Sequence, residues 1–396
     1  MKILVVHNRY QQVGGEDAMV RGERALLIAG GNVVVEYFKD NDEIRHYGPL
    51  SKVMLAARTV WAWDSYREIK ALLARERPDL AHFHNTFPLI SPAAYYACRA
   101  AGVPVVQTLH NYRLLCPAAM FFRDGQVCEE CIKHSLWRGV LHGCYRNSRA
   151  GTSTVALMLA VHRWLGTWMR LVDCYIALSQ FSRQKFIEGG IPAEKIALKP
   201  NFVHLDPGAR EGRGEYALFV GRLSEEKGAQ TLLAAWQRLQ ARIPLRIAGS
   251  GPEREFLEAH ATQMGLSGVR FLGQLPHDEV LAALKGARFL VFTSELYETF
   301  GMTIVEAFAC GVPVICSRLG AMEEIVADGR TGLHFTPGNA DDLAAKVEWA
   351  WAHPEEMAAM GRAARAEYEA KYTAERNYTM LMEIYERVIH ARRRPN

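Results

Sequence analysis

The chain has 396 residues, 49% of them apolar and 23% charged, enough for two domains with separate cores. A net charge of +4 is too mild for a nucleic-acid binder, and no apolar run reaches the length of a bilayer span. The opening MKILVVHN reads as a short strand rather than a leader peptide, so the eight cysteines are expected to be reduced.

Lys2 to His7 reads as a buried strand. A polar loop, Asn8 to Glu16, follows and contains the pair Gly14-Gly15; then come a helix from Asp17 to Ala29 and a strand from Asn32 to Phe38. That order predicts a parallel sheet with right-handed crossovers. Gly14-Gly15 either lets the backbone approach a phosphate or serves a loop that needs positive φ. It is not the G-x-G-x-x-G dinucleotide fingerprint. One helix is expected from Val53 to Arg75, a strand from Leu80 to His84, a helix from Pro92 to Ala101 and a strand from Val103 to Leu109. His7, His84 and His110 fall at carboxyl ends of strands, where open α/β sheets bind ligands. Together they predict one polar crevice.

Cys116, Cys128, Cys131 and Cys144 follow in the pattern C-x11-C-x2-C-x12-C. Four thiolates closing a long loop suit a structural zinc with no open position for catalysis; an iron–sulfur cluster, with less support, and unliganded thiols are the other readings. Cys98, Cys174, Cys310 and Cys316 sit in apolar runs and are expected as small core residues. Thr154 to Val172 holds Trp164 and Trp168 beside His162, Arg163 and Arg170. It reads as a core helix, or as a helix lying on a membrane surface with both tryptophans at the interface. Asp173 to Ser179 is a strand, Phe181 to Glu188 a helix and Lys195 to Lys199 a strand. Asp206 to Glu215, rich in Gly and charge, is the linker candidate.

A second βα series begins with a strand at Tyr216 to Val220, the loop GRLSEEKG (Gly221 to Gly228) and a helix to Arg242. Strands at Leu245 to Ala248, Val269 to Leu272, Phe289 to Phe292, Val314 to Cys316 and Leu333 to Phe335 complete it, with GSGPE after the first of these. Arg222 and Lys227, beside a helix start, suit a diphosphate: Arg as a fork, Lys as a point charge. After Phe292, a loop carries Glu298 and a helix from Thr303 to Cys310 carries Glu306. The N–H groups around Gly301, Met302 and Thr303 are the unpaired donors of that helix start, a ready anion site. Glu306 can accept hydrogen bonds from ribose or sugar hydroxyls; the plain alternative is a solvated loop acid and a helix acid favoured by the dipole. Ala340 to Lys371 and Glu375 to Arg393 read as helical, with Arg392, Arg393 and Arg394 a solvated basic tip.

In this order the motifs are recognisable. Gly14-Gly15, His110, GRLSEEKG, GSGPE, the block ETFGMTIVEAFACGVPV with its E-x7-E pair, and GAMEEIVADGRTG make the chain resemble the family 4 (GT-B, retaining) glycosyltransferases over essentially its whole length. The resemblance implies an α/β protein of two Rossmann-like domains facing across a cleft. The acceptor domain would span residues 1–205, with a helix at 375–393 returning to it, and the donor domain residues 206–374. It implies a nucleotide-sugar donor and a saccharide or lipid-linked acceptor. In it, Glu306 holds the ribose, and Arg222 and Lys227 neutralise the diphosphate. Gly15, Gly301, Met302 and Thr303 add backbone contacts, Glu298 contacts the transferred sugar, and His110 orients it. No D-x-D stands where it would hold a cation, so catalysis is expected to need no metal. The implied location is cytoplasmic, at the inner face of the membrane, with peripheral contact. Gly320-Ala321 replaces the family's Gly-Gly, and the four-cysteine loop is an addition. A nucleotide-sugar 2-epimerase and a catalytically dead, metal-bearing scaffold are the alternatives. A nicotinamide dehydrogenase lacks its fingerprint.

Overall fold

The computed structural model describes residues 1–11 and 14–393; Gln12 and Val13 of the first loop and Arg394 of the basic tip lie outside them. Among the described residues the chain forms two α/β units. The first holds residues 1–121, 128–200 and the last helix; the second holds residues 122–127 and 201–373.

The first unit is built on β1 (Lys2–Arg9), β2 (Val33–Asp40), β3 (Leu80–Asn85) and β4 (Val105–Thr108). After the small hairpin β5 (Phe122–Arg123) and β6 (Gln126–Val127) come β7 (Cys174–Ala177) and β8 (Ile196–Leu198). The sheet order is β2-β1-β3-β4-β7-β8, and every pairing is parallel. Its inner strands are buried on both faces, so they read as continuous apolar runs rather than alternating ones. The helix Ala374–Arg393 lays Leu381, Ile384, Tyr385 and Val388 into the same core as Ile3, Val5, Leu80 and Ile176.

In the second unit β9 (Tyr216–Val220), β10 (Leu245–Ala248), β11 (Val269–Gly273), β12 (Ala287–Phe292), β13 (Val314–Ser317) and β14 (Gly332–Phe335) take the order β11-β10-β9-β12-β13-β14. This is the doubly wound arrangement, and its switch point lies between β9 and β12. The core packs around Trp236, whose indole N–H donates to the Ile243 carbonyl at 2.8 Å.

Several boundaries differ from the sequence reading for tertiary reasons. The helix expected over Val53 to Arg75 is two helices, Pro49–Val60 and Trp63–Glu76. Trp61 turns extended (φ −149°) to set its ring 4.9 Å from Tyr96 and 5.8 Å from His162. The following Ala62 N–H donates to Ser91 at 2.9 Å. Ala340–Ala352 and Pro354–Lys371 are likewise separate helices, because Pro354 favours the first position of a new one. The Asp206–Glu215 stretch is tied down: the Arg365 guanidinium donates to both Asp206 carboxylate oxygens at 2.6 Å, and the Arg210 N–H donates to the Cys310 carbonyl. Within Thr154 to Val172 the tryptophans part company. Trp164 is exposed while Trp168 is buried, which corrects the expectation that both sit at an interface. Cys98, Cys174, Cys310 and Cys316 are all buried.

Candidate functional site

At the switch point of the second unit, the loops after β9 and β12 meet. Gly228 adopts φ +67°, and a Cβ there would lie 2.2 Å from the Thr293 carbonyl oxygen. Thr293 in turn donates its hydroxyl to the Lys227 carbonyl at 2.8 Å. The GSGPE loop is pressed against the first in the same way, since a Cβ on Gly249 would lie 1.8 Å from the Gly221 oxygen. Glycine is required at both places by close approach. The Lys227 ammonium donates to Glu298 Oε1 at 2.5 Å, and so does the Ser294 hydroxyl. Sequence reasoning had Lys227 and Glu298 as separate groups and did not single out Ser294, although it stands in the same loop. Arg222 is exposed at the end of β9.

Gly301, at φ +98°, precedes the helix Met302–Ala309. The helix therefore opens at Met302, and its first N–H donors lie at Met302 and Thr303. One turn on, the Glu306 side chain is only 13% exposed. Burial pushes its carboxyl above the ordinary glutamate range, opposed by His277, whose Nδ1 lies 3.7 Å away. His277 was not anticipated; it comes from a helix, His277–Gly286, far from Glu306 in sequence.

In the first unit, Gly15 begins the helix Gly15–Ala29 behind Gly14, which is extended (φ −122°). Neither glycine is left-handed, so the positive-φ reading of the pair does not hold. Among the described residues, a side chain at Gly15 would meet no protein atom within 4 Å. Next to it, burial pushes the Glu16 carboxyl up to about 8, while its Oε2 accepts from the Tyr10 hydroxyl at 3.1 Å.

Of the three histidines expected to share one crevice, His84 and His110 do and His7 does not. His84 Nδ1 and His110 Nε2 are 3.0 Å apart, and both line a cavity with Asn85, Thr108, Asn111 and Arg113. β1 runs on to Arg9, so His7 lies inside the strand rather than at its end, fully buried and 2.8 Å from Asp17. Beneath the pair stands a network that sequence reasoning missed. Glu23 Oε1 faces His82 Nδ1 at 3.1 Å and His84 Nε2 at 3.4 Å, and Oε2 accepts from the Lys199 ammonium at 3.0 Å. Lys199 also donates to Asn377 at 2.9 Å, and His82 meets the Tyr385 hydroxyl at 2.7 Å. Burial alone would raise the Glu23 carboxyl, but Lys199, then His82 and His84, outweigh it and hold it well below the usual range. Burial keeps His110 neutral, with its pKa near 3.

His84 Nδ1 and His110 Nε2 share one hydrogen bond, in which one ring donates and the other accepts. Glu23, His82 and His84 also bring three ligand atoms within 4.8 Å of one another. A cation there would face the Lys199 ammonium across the same carboxylate, so the cluster is an ion network.

In the cysteine loop, the thiols of Cys116 and Cys131 interact. That interaction lowers Cys116 to about 6 and raises Cys131. Cys128 and Cys144 are half-buried. Among the described residues, no three of the four thiols come within 4.8 Å of one another.

Comparison with known proteins places these sites in context. Residues 24–207 match the family model "Glycosyltransferase Family 4", and residues 206–367 match "Glycosyl transferases group 1". The chain is 30% identical over 340 residues to a glycogen synthase of Mycobacterium tuberculosis, covering 81% of this chain and 71% of that protein. Among solved structures, sucrose-phosphate synthase from Thermosynechococcus elongatus superposes with a TM-score of 0.73 at 20% identity over 98% of this chain and 99% of that one. Anabaena HepE, in complex with UDP and glucose, superposes with a TM-score of 0.68 at 20% identity, covering 98% and 99%. The two parallel sheets, the motifs at the β9/β12 switch point and the two family models agree: the chain belongs to the GT-B glycosyltransferases, of family 4 type in its N-terminal half and group 1 type in its C-terminal half.

Proposed function

We propose that this enzyme is a retaining, metal-independent glycosyltransferase that moves a sugar from a nucleotide-sugar donor to a hydroxyl of a saccharide or lipid-linked acceptor, on the cytoplasmic side of a membrane. The observation that carries the reading is the gathering at one switch point of Arg222, Lys227, Glu298, the Gly301–Thr303 helix start and the buried Glu306. Departure of a nucleoside diphosphate leaves negative charge on its phosphate, and fixed cations with helix-start amides stabilise such charge without reorganising. Arg222, Lys227 and the amides of Met302 and Thr303 take the diphosphate, Glu306 accepts from the ribose hydroxyls, and Glu298 accepts from the sugar. Lys227 is held by Glu298 until the diphosphate offers it a stronger partner. Among the described residues nothing crowds Gly15, which admits a ligand oxygen to the first helix turn. His110, neutral and paired with His84, hydrogen-bonds the transferred sugar rather than acting as an acid. The bond from the sugar to the diphosphate breaks, the acceptor oxygen bonds on the face being vacated, and its proton passes to the departing phosphate oxygen. That Anabaena HepE was solved with UDP and glucose makes a uridine nucleotide the first donor to try.

The test is binding and thermal shift with UDP-, GDP-, ADP- and dTDP-sugars. Saturable binding of one nucleotide fixes the donor class; binding of none refutes the reading and favours an inactive scaffold. A donor epimerised without acceptor points to the epimerase.

The four-cysteine loop is assigned a structural zinc. Two of its thiols already perturb each other, and closing all four around a metal would pin the loop that follows His110. Replacing Cys128 and Cys131 by Ser is expected to lower bound zinc and the melting temperature together; unchanged metal content and melting refute the assignment.

A further inference from the structure

Two neighbouring helices of the first unit, Pro49–Val60 and Arg149–Trp164, pack on each other yet leave apolar stripes facing solvent. On the first, Leu50, Val53 and Met54 are exposed, Leu50 to 75%. On the second, Leu157 and Trp164 are exposed, Trp164 to 85%. Leu50, Val53 and Met54 stand at the i, i+3, i+4 spacing of one helix face, and Leu157 and Trp164 seven residues apart do the same. The two helices meet at their carboxyl ends, where His162 Nε2 lies 2.9 Å from the Val60 carbonyl oxygen and the imidazole stacks on Trp61. Trp61 in turn holds the exposed Trp63 at 5.6 Å. Large apolar side chains this exposed on two helices that pack on each other are more than ordinary surface scatter; they mark a contact surface.

The charge around them says what covers it. Residues 131–172 contain no Asp or Glu but carry Lys133, Arg138, Arg146, Arg149, Arg163 and Arg170. Residues 44–63 likewise lack acids and carry Arg45, Lys52 and Arg58. Arg58 is neutralised by Asp64 at 2.6 Å and Arg45 by Asp42 at 3.0 Å, whereas Lys52, Arg149, Arg163 and Arg170 are exposed. A second copy of the chain would bring these cations against themselves. Apolar stripes and tryptophans ringed by unopposed cations suit an anionic lipid surface, with the side chains in the acyl boundary and the cations at the phosphates. Among the described residues no helix is long and apolar enough to cross a membrane.

We propose that the solvent face of the helices Pro49–Val60 and Arg149–Trp164, with Trp63, docks the enzyme on an anionic bilayer. This deepens the transferase reading, since a surface-bound enzyme meets a lipid-linked acceptor in the plane of the membrane, and it rests on that reading only for the acceptor. Docking is read without any sugar transfer, so either can fail alone. The full chain is sedimented with vesicles of phosphatidylcholine alone and of phosphatidylcholine with about 30 mol % phosphatidylglycerol. The expected result is binding to the anionic vesicles that weakens with salt and blue-shifts tryptophan emission. The triple variant Leu50→Ser/Met54→Ser/Trp164→Ser should bind about tenfold more weakly or worse, with unchanged melting, because all three side chains are solvent-facing. The single variant Lys52→Glu should weaken binding to the anionic vesicles only. Wild type that ignores anionic vesicles, or a triple variant that binds as wild type does, overturns the proposal. So does a wild-type dimer by light scattering that the triple variant converts to monomer, since the face would then cover a second copy.

Discussion

Lys199→Met is expected to lose about 3–5 kcal/mol of stability at neutral pH, because it leaves a charge in the core without its partner. Glu23 and Lys199 are both buried and 3.0 Å apart. The native fold keeps the Glu23 carboxyl well below its ordinary value. A depressed folded pKa contributes stability that is present above the unfolded value and is lost as pH falls through the folded one. The penalty of Lys199→Met is therefore largest near neutral pH and shrinks on acidification, where Glu23 takes up a proton in the variant first. The double variant Glu23→Leu/Lys199→Met should recover much of the loss, since removing both charges costs less than stranding one. Chemical denaturation at several pH values checks this. Losses that simply add, or a single-variant loss below about 1 kcal/mol, would show that the pair does not carry the charge balance of this core.

Glu306→Ala is expected to weaken nucleotide binding by on the order of 100-fold. On the proposed reading the buried carboxylate accepts from two ribose hydroxyls, and a hydrogen bond to a charged group contributes about 1.5–3 kcal/mol. Its position one turn into Met302–Ala309, four residues after Met302, places it on the face of the helix below the amides that take the diphosphate. Because burial raises the Glu306 pKa and the ribose needs the ionised form, affinity should fall on acidification while the pH is still above the ordinary glutamate value. Glu306→Gln keeps the shape and loses the charge, so it should bind with intermediate affinity and without that pH dependence. Isothermal titration of both variants decides; affinity equal to wild type in Glu306→Ala would remove the residue from the site.

Much of the second unit was legible in the sequence because its information is local. Glu298, Gly301 and Glu306 lie within one strand–loop–helix, and Arg222 and Lys227 within another, so strand ends and glycines alone locate them. Their direct pairing was not legible. That Lys227 meets Glu298 depends on β12 lying next to β9, which no short-range pattern encodes. The first unit divides in the same way. His84 and His110 were found at strand ends, but Glu23, Lys199 and the pair Asn377 and Tyr385 come from three distant segments, and a buried Lys or Glu in an amphipathic run looks like any solvated one. The helix over Val53 to Arg75 failed for a related reason. Its periodicity runs on through Trp61, and only the packing of that ring on Tyr96 and His162 forces the break.

The most direct test of the central claim follows the anomeric protons of a bound nucleotide sugar by NMR, with chelator present and no acceptor, so that water serves as a slow acceptor. A retaining, metal-independent transferase releases free nucleotide and a sugar that appears first in the donor's own anomeric configuration, at a rate the chelator leaves unchanged. First appearance of the opposite anomer, loss of turnover in chelator, or epimerised donor without nucleotide release would contradict it.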